Sequence, residues 1–205
     1  MRWIEKVGTK ISTQMSHCYW EVLKFPVALV LLLTTASTCV RATTIERMSL
    51  AQMASAAELI VRGRCVENST GWDAGEIWTF TSFDVAEVWS GTALERITVR
   101  LLGGRAGNIT STVSGVPRFR PGEDVVLFLE PTASGDYSVV SWSQGTFRVR
   151  HSLSDADERV TQDTLTFATF DPGAGKFAAS GIRDMALDTF RARVEAAVRE
   201  AGRKP

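Results

Sequence analysis

The stretch "DVVLFLE", residues Asp124 to Glu130, decides the fold. Its apolar run is unbroken from Val125 to Leu129, so a strand formed here has no polar face. Because a strand alternates its side chains between two faces, such a run is typical of a strand that is buried on both of them. The sequence therefore predicts an apolar layer on each side of this strand.

A sharp turn is predicted immediately before this strand, in "PRFRPGE", residues Pro117 to Glu123. Pro121 and Gly122 suit the two central positions of a type II turn, where glycine accepts the positive φ that other residues resist. Phe119 is then expected to lie beneath the turn. The simplest interpretation is a corner that directs the chain into a buried strand.

A second interpretation of this region is a binding edge. With Phe119 turned inward, Arg118 and Arg120 face outward, and Arg105 is a third candidate for the same surface. Arginine presents a planar fork of donors to a carboxylate, so the three side chains are candidates for binding an anion or a partner. The neighbouring "LLGGRAGN", Leu101 to Asn108, lacks the Gly-Lys-Ser/Thr ending of a phosphate-binding loop and predicts a hairpin tip.

Alternating patterns predict further strands on both sides of this region. Residues Glu67 to Glu76 are rich in turn formers and predict a loop, and Gly63 predicts a bend or a close backbone approach. In the longest strand the large apolar residues change parity near Thr81 and Ser82, which predicts a β-bulge. The candidates are Leu59–Val66, Ile77–Gly91, Arg96–Gly104, Gly107–Gly115, Asp136–Trp142, Gly145–His151 and Thr161–Phe170.

Two helices complete the predicted elements. "MSLAQMASAAE", Met48 to Glu58, has a serine at its N-cap position and predicts a short helix. Residues 182–201 predict a C-terminal helix, with apolar residues at helical spacing. Curved antiparallel strands, one of them long and bulged, predict a mainly β fold: a small closed OB-type β-barrel with a short N-terminal and a C-terminal helix. A β-sandwich is the alternative.

The first 42 residues are predicted to be an export signal. Lysines precede the uncharged run Phe25–Val40, which is short for a bilayer span and typical of a signal peptide, and small residues favour cleavage after Ala42. Alternatives that stay open are an uncleaved membrane anchor over residues 20–40, lipidation at Cys39, and a start at Met15. Each alternative places residues 43–202 outside the cytoplasm, secreted or periplasmic, as a single domain with a tail at 203–205.

The composition of this exported part excludes several kinds of function. Residues 43–205 carry 18 basic and 21 acidic side chains, and only Lys176 and Lys204 are lysines, so nucleic acid is not an expected partner. Cys65 and His151 are its only cysteine and histidine. An internal disulfide therefore cannot form within it, and a His/Cys metal cage or a Cys/His catalytic pair is hard to assemble, so we expect no metal and no cofactor.

Two further residues are candidates for chemistry or binding. His151 precedes the acidic residues Asp155, Asp157 and Glu158, an arrangement that suits a general base or a metal, although the chain has no Gly-x-Ser-x-Gly elbow. Trp72 lies in a polar segment and is the tryptophan expected to be most exposed, where it would anchor a partner or stack on a sugar.

Several segments together resemble a family of exported bacterial domains without established activity, some of which occur beside matrixin-like metallopeptidase modules. They are "AAELIVRGRCV", "VAEVWSG", "ITVRLLGG", "GVPRFRPGEDVVLFL" and "YSVVSWSQGTFRV", and they span Ala56 to Val149. More distantly, the order of elements is similar to the OB-type barrel of netrin-like domains, including tissue inhibitors of metalloproteinases. Those inhibitors present an N-terminal cysteine to the peptidase zinc, whereas Cys65 lies inside the first strand, so the resemblance implies the architecture and no inhibitory residue.

We therefore expect a non-catalytic exported domain that binds an extracytoplasmic protein or an envelope component. The membrane is expected as a partner only through an uncleaved leader or lipidation. One alternative is a netrin-like modulator of an extracellular metallopeptidase. The other is a hydrolase or carbohydrate-active domain that uses His151 and nearby acids.

Overall fold

A computed structural model describes residues 46–92, 94–151, 158–164, 169–178 and 181–202. The chain is mainly β, and two helices, α1 (Leu50–Ala56) and α2 (Leu187–Ala201), flank its sheet. The strands are β1 (Leu59–Asp73), β2 (Glu76–Ser90), β3 (Arg96–Leu102), β4 (Gly104–Ala106), β5 (Ile109–Ser111), β6 (Asp124–Pro131), β7 (Tyr137–Val139), β8 (Thr146–His151), β9 (Glu158–Gln162), β10 (Thr169–Asp171), β11 (Lys176–Ala178) and β12 (Met185–Ala186).

Strand β6 connects the two parts of the main sheet. It pairs antiparallel with β1 along one edge, and with β8 and then β7 along the other. The order β1-β2-β3-β7-β6 returns to β1 and forms a ring of five strands. The β3–β7 contact is parallel and rests on the pair Val99 and Tyr137. Strands β8, β9 and β12 continue the sheet outside the ring.

Both faces of β6 are buried, as the sequence predicted. Val125, Leu127 and Leu129 face the ring interior and are fully buried there. Val126 and Phe128 face the opposite side, where residues of both helices cover them and Phe147 of the neighbouring strand β8 packs beside them. The interior cluster also contains Leu59, Val61, Cys65, Phe83, Ile97, Val99, Leu101, Phe119 and Val139. The outer cluster contains Met53, Ala54, Ile60, Val140, Phe147, Val149, Val160, Leu187, Phe190, Val194 and Ala197.

The long strand β2 is bulged, but its side chains do not change parity where the sequence predicted. Ile77, Thr81 and Phe83 are all buried, so parity is constant through Thr81 and Ser82. A register shift does lie opposite Ser82 and Phe83, but the extra residue is Val66 of β1; the bulged residues of β2 are Ala86 and Trp89. The predicted parity change was wrong because it rested on the aromatic residues, whereas the buried residue is Thr81, which donates to Asn68 Oδ1 at 2.6 Å.

The aromatic residues Trp78 and Phe80 lie on the outer face of β2. The guanidinium of Arg100 covers them, with its carbon 4.0 Å from the Trp78 ring centroid and 5.8 Å from that of Phe80. The alternating pattern alone would place these two rings in the interior. Stacking of the Arg100 cation on them shields their apolar surface from solvent instead.

The loop predicted over Glu67–Glu76 is a hairpin instead. Strand β1 continues to Asp73, and the turn consists of Ala74 and Gly75, at φ of 49° and 85°. Two positive φ values match the twist of the flanking strands, so polar residues can extend the hairpin beyond the core. At Gly63 the predicted close approach is confirmed, since a Cβ there would lie 3.0 Å from the carbonyl oxygen of Asp84.

The helices differ from prediction mainly at one boundary. In α1 the Ser49 side chain accepts from the backbone of Gln52, and the Gln52 side chain accepts from the backbone of Ser49, which forms a capping box. The C-terminal helix begins at Leu187 and not at residue 182. Asp184 has a φ of 46°, and the residues after it pair with β9 as a short strand before the helix starts.

Other predicted strands are shorter than the sequence suggested. The strand predicted over Gly107–Gly115 is confined to β5, and Asp136–Trp142 yields β7 followed by a 3₁₀ turn. Thr161–Phe170 contributes to β9 and β10, and its residues 165–168 lie outside the described residues. The predicted leader, Asp155 and Asp157 also lie outside them. None of the described helices is long and apolar enough to cross a membrane.

We expect Phe128→Ala to lower the free energy of unfolding by about 3–5 kcal/mol, because it leaves a cavity between β6 and the helices. Urea unfolding followed by circular dichroism measures this difference. Phe177→Ala is the matched control, since that ring is 58 % exposed, and should change stability by less than about 0.5 kcal/mol. Equal losses in the two variants would contradict the double-sided burial of β6.

Candidate functional site

A cleft of about 220 Å³ lies beside the projecting β1–β2 hairpin. Thr70 of β1 and Thr79 of β2 line one side of it. The β4–β5 hairpin and the corner before β6, residues Val116–Phe119, line the other sides. The cleft is therefore formed where two hairpins and the chain that enters β6 meet.

Glycines allow the β4–β5 hairpin to approach the strands this closely. Gly103 and Gly104 have φ of 94° and 140°, which side-chain-bearing residues rarely adopt. A Cβ on Gly104 would overlap Thr79 Oγ1 and Thr70 Cγ2. The Gly103 amide donates to the Ile77 carbonyl oxygen at 2.7 Å, and the Gly103 carbonyl accepts from Thr79 Oγ1 at 2.7 Å. The segment predicted as a hairpin tip is thus one wall of the cleft.

Arg105 and Arg118, two of the arginines singled out from the sequence, both line this cleft. Both are exposed, and each uses one nitrogen on a backbone carbonyl: Arg105 Nε on Gly107 and Arg118 Nη2 on Ser111, both at 3.3 Å. Among the described residues neither guanidinium has a carboxylate partner. Most of their donor capacity therefore faces the cleft or solvent.

The third arginine, Arg120, is exposed but is not part of the cleft wall. Its backbone amide donates to Glu123 Oε2 at 3.1 Å, and the Glu123 amide donates to the Arg120 carbonyl at 3.0 Å. Pro121 and Gly122 form the turn between them, with Gly122 at a φ of 89°. Phe119 beneath this turn is 6 % exposed.

Arg148 holds the corner in place from the neighbouring strand. It donates to the Arg118 carbonyl at 2.9 Å and pairs with Glu123 at 2.6 Å and Asp163 at 2.9 Å. Its guanidinium carbon lies 5.7 Å from the Phe119 ring centroid. Burial opposes the charge of Arg148, but the two carboxylates outweigh burial and raise its pKa. Arg148 is therefore committed to the fold, in contrast to Arg105 and Arg118.

Trp72 lies near the tip of the β1–β2 hairpin, in a strand and not in the loop predicted for it. Trp72 follows Thr70 by two residues, and the register of the hairpin is regular between them, with Thr70 opposite Thr79 and Trp72 opposite Ile77. Because side chains alternate between the two faces of a strand, Trp72 lies on the same face as Thr70, which lines the cleft. Its side chain is 58 % exposed, and Ile109 in the adjacent β4–β5 hairpin is 54 % exposed. Two large apolar side chains thus lie on the hairpins that flank the cleft.

His151, the other candidate, belongs to a separate cluster of charges. Its Nε2 lies 3.2 Å from Asp124 Oδ2, and its Nδ1 lies 3.0 Å from Glu158 Oε1. Arg62 binds both carboxylates, with Nη2 at 2.7 Å from Asp124 and 2.6 Å from Glu158. Hydrogen bonds from Arg62 hold the pKa of Glu158 below its usual range.

This cluster ties distant parts of the chain together. Glu87 of β2 accepts from Arg62 at 3.4 Å, from Trp89 Nε1 at 3.1 Å and also from Arg191 of α2. Sequence reasoning linked His151 to Glu158 but missed Arg62 and Asp124. The one local signal was Asp124, the charged residue that begins β6. In the β1–β6 register Asp124 lies opposite Arg64, and Arg62 reaches it diagonally from the position opposite Val126, which no sequence pattern indicates.

Asp124, His151 and Glu158 have ligand atoms within 4.8 Å of one another, a spacing that suits a metal ion. Arg62 already supplies the positive charge between the two carboxylates, and its side chain is only 12 % exposed. A divalent cation would have to displace a guanidinium that makes hydrogen bonds to both acids. The cluster thus fits a structural ion pair better than a metal centre.

Cys65 is buried in the ring interior and has no cysteine partner among the described residues. Burial raises the pKa of its thiol to about 11, and the negative charge of Glu123 adds to this effect. The thiolate required for nucleophilic or redox chemistry is therefore scarce at neutral pH.

No family model matches this chain, and no curated protein is significantly similar to it in sequence. The cleft and the charge cluster around His151 and Arg62 are therefore the two candidate sites for function.

Replacing Arg62 by Met should lower the free energy of unfolding by about 3 kcal/mol at pH 7, because it leaves the partly buried carboxylates of Asp124 and Glu158 without the guanidinium that binds both. The folded-state pKa of Glu158 lies below its unfolded value, so the stabilisation exists above the unfolded pKa of about 4.3 and is lost as pH falls through the lowered value. Urea unfolding from pH 7 to pH 3 should show the two proteins converging. Arg96→Met, which removes an exposed pair with Asp84, is the control and should cost less than about 1 kcal/mol at any pH.

With Cys18 and Cys39 replaced by serine, Cys65 should react with Ellman's reagent at pH 8 only as fast as the protein unfolds. The raised thiol pKa and burial both prevent reaction in the folded state. Absorbance at increasing urea concentration measures the rate, and the denatured protein gives the full reaction. Rapid labelling without urea would show that the ring interior is accessible.

Proposed function

We propose that this chain is an exported, non-catalytic OB-type domain that binds an extracytoplasmic partner at the cleft end of its ring. The OB-type assignment is supported by the strand order, with β1 antiparallel to β6 and β3 parallel to β7. The long, bulged β1–β2 pair supports it further, since bulges let strands curve around a closing barrel.

The observation that carries the proposal is the convergence of binding-type residues on one cleft. Arg105 and Arg118 line it, and Trp72 lies on the same face of the hairpin that forms its wall. Exposed aromatic and arginine side chains dominate binding energy at protein interfaces. Other arginines of the sheet, such as Arg62, Arg100 and Arg148, are paired with carboxylates.

Neither the charge cluster around His151 nor the cleft is suited to acid–base catalysis. The acids around His151 are held by Arg62, and a carboxyl group with a lowered pKa stays ionised and cannot donate a proton near neutral pH. The described residues that line the cleft include arginines, threonines and apolar side chains, and none of them is an acid or a histidine. A protein surface is the favoured partner because Trp72 and Ile109 add exposed apolar area beside the arginines.

The proposal is tested by placing a photo-crosslinking amino acid at Trp72 or Ile109 in the exported protein. Irradiation should give the same discrete adduct from both positions, detected by electrophoresis and identified by mass spectrometry. Phe177 is the matched control, because it is as exposed as Trp72 but belongs to the β10–β11 hairpin. No adduct, or the same adduct from position 177, would contradict binding at the cleft end.

A further inference from the structure

We infer that the cleft is a carboxylate-binding site for an extended peptide segment that carries an apolar residue two positions from the acid. This inference rests on the proposed function and specifies what the partner presents. The carboxylate comes either from an Asp or Glu side chain or from a chain terminus.

The charge of the cleft favours an anion as its ligand. Arg105 and Arg118 bring two positive charges to a space of about 220 Å³, and no described acid neutralises either one. Each arginine uses a backbone carbonyl for one nitrogen and keeps the rest of its fork available. A carboxylate accepts two parallel hydrogen bonds from such a fork.

The backbone around the cleft favours a carboxylate over a phosphate. Phosphate sites in glycine-rich loops use several amides that converge on the anion. Here the Gly103 amide is bonded to Ile77, and the carbonyls of Gly103 and Ser111 accept from Thr79 and Arg118. With carbonyl oxygens at the wall, a singly charged, planar group fits better than a doubly charged tetrahedral one.

The apolar preference follows from the geometry of the β1–β2 hairpin. Thr70 lines the cleft, and Trp72 follows on the same face about 7 Å further along the strand. Two residues of an extended ligand span the same distance. A ligand residue two positions from the carboxylate therefore lies against Trp72, whose exposed ring offers apolar contact.

Three capped peptides with a neutral fluorophore test this inference by fluorescence anisotropy with the full chain. The first is Gly-Ser-Leu-Ser-Asp-Ser-amide, the second replaces Asp by Asn, and the third, Gly-Ser-Leu-Ser-Gly, ends in a free carboxylate. We expect binding of the first or the third and none of the second, and the peptide that binds identifies the source of the carboxylate. Binding of the Asn peptide with equal affinity, or of none of the three, would overturn the inference.

Arginine variants locate the site. Arg118→Gln and Arg105→Gln should each weaken binding by about tenfold or more, and Arg118→Lys, which keeps the charge but loses the fork, should weaken it less. Arg120→Gln removes the same charge two residues away, outside the cleft wall, and should change affinity less than about twofold. Equal losses for Arg120→Gln and Arg118→Gln would show a general charge effect and overturn the site, and unchanged melting temperatures exclude misfolding.

Two further comparisons separate this inference from the proposed function. Trp72→Ala should weaken binding of the Leu peptide but not of one with Ala in place of Leu, and equal losses for both would refute the apolar contact. In competition experiments, acetate should displace the peptide at lower concentration than inorganic phosphate does. Equal displacement by the two anions would refute the carboxylate preference. Adducts at Trp72 and Ile109 together with no peptide binding would leave the binding domain supported and the carboxylate site refuted.

Discussion

Strand β6 must be covered on both faces, and most of the molecule is arranged to do so. Its odd-numbered residues, such as Leu127, fill the interior of the five-strand ring, while Val126 and Phe128 need a second cover outside it. The two helices provide that cover. Displacing β6 would expose apolar surface on both of its faces, at a cost of about 25 cal/mol per Å².

The cleft is a consequence of how the chain enters this strand. A chain that enters a strand buried on both faces has to turn at the surface, and the turn at Pro121 and Gly122 does this while Phe119 is inserted beneath it. Burying Phe119 leaves the flanking Arg118 and Arg120 outside. Arg148 donates to the Arg118 carbonyl and lies over the Phe119 ring. These contacts position the backbone of Arg118 and leave the charge of its side chain unpaired among the described residues.

Four arginines around the corner and the charge cluster differ in how their charge is matched. Arg62 and Arg148 lie where solvent is scarce, and each is matched with two or more carboxylates, because an unpaired charge there would be costly. Arg105 and Arg118 lie at the surface, and neither has a carboxylate partner among the residues that the structure describes. Solvent makes an unpaired guanidinium inexpensive there, so these arginines can meet the charge of a partner.

The sequence alone determined the double-sided burial of β6, the turn before it, the cap of α1 and the mainly β class, because each depends on local pattern or local backbone geometry. Only the tertiary structure decided that Trp78 lies outside under Arg100, that Trp72 extends a strand, and that Arg62 joins Asp124 to Glu158. It also placed Arg105 and Arg118 on one cleft and left Arg120 off it. Such pairings join residues far apart in the chain, and the register and bulges that bring them together are set by packing across the whole sheet, which no local pattern encodes.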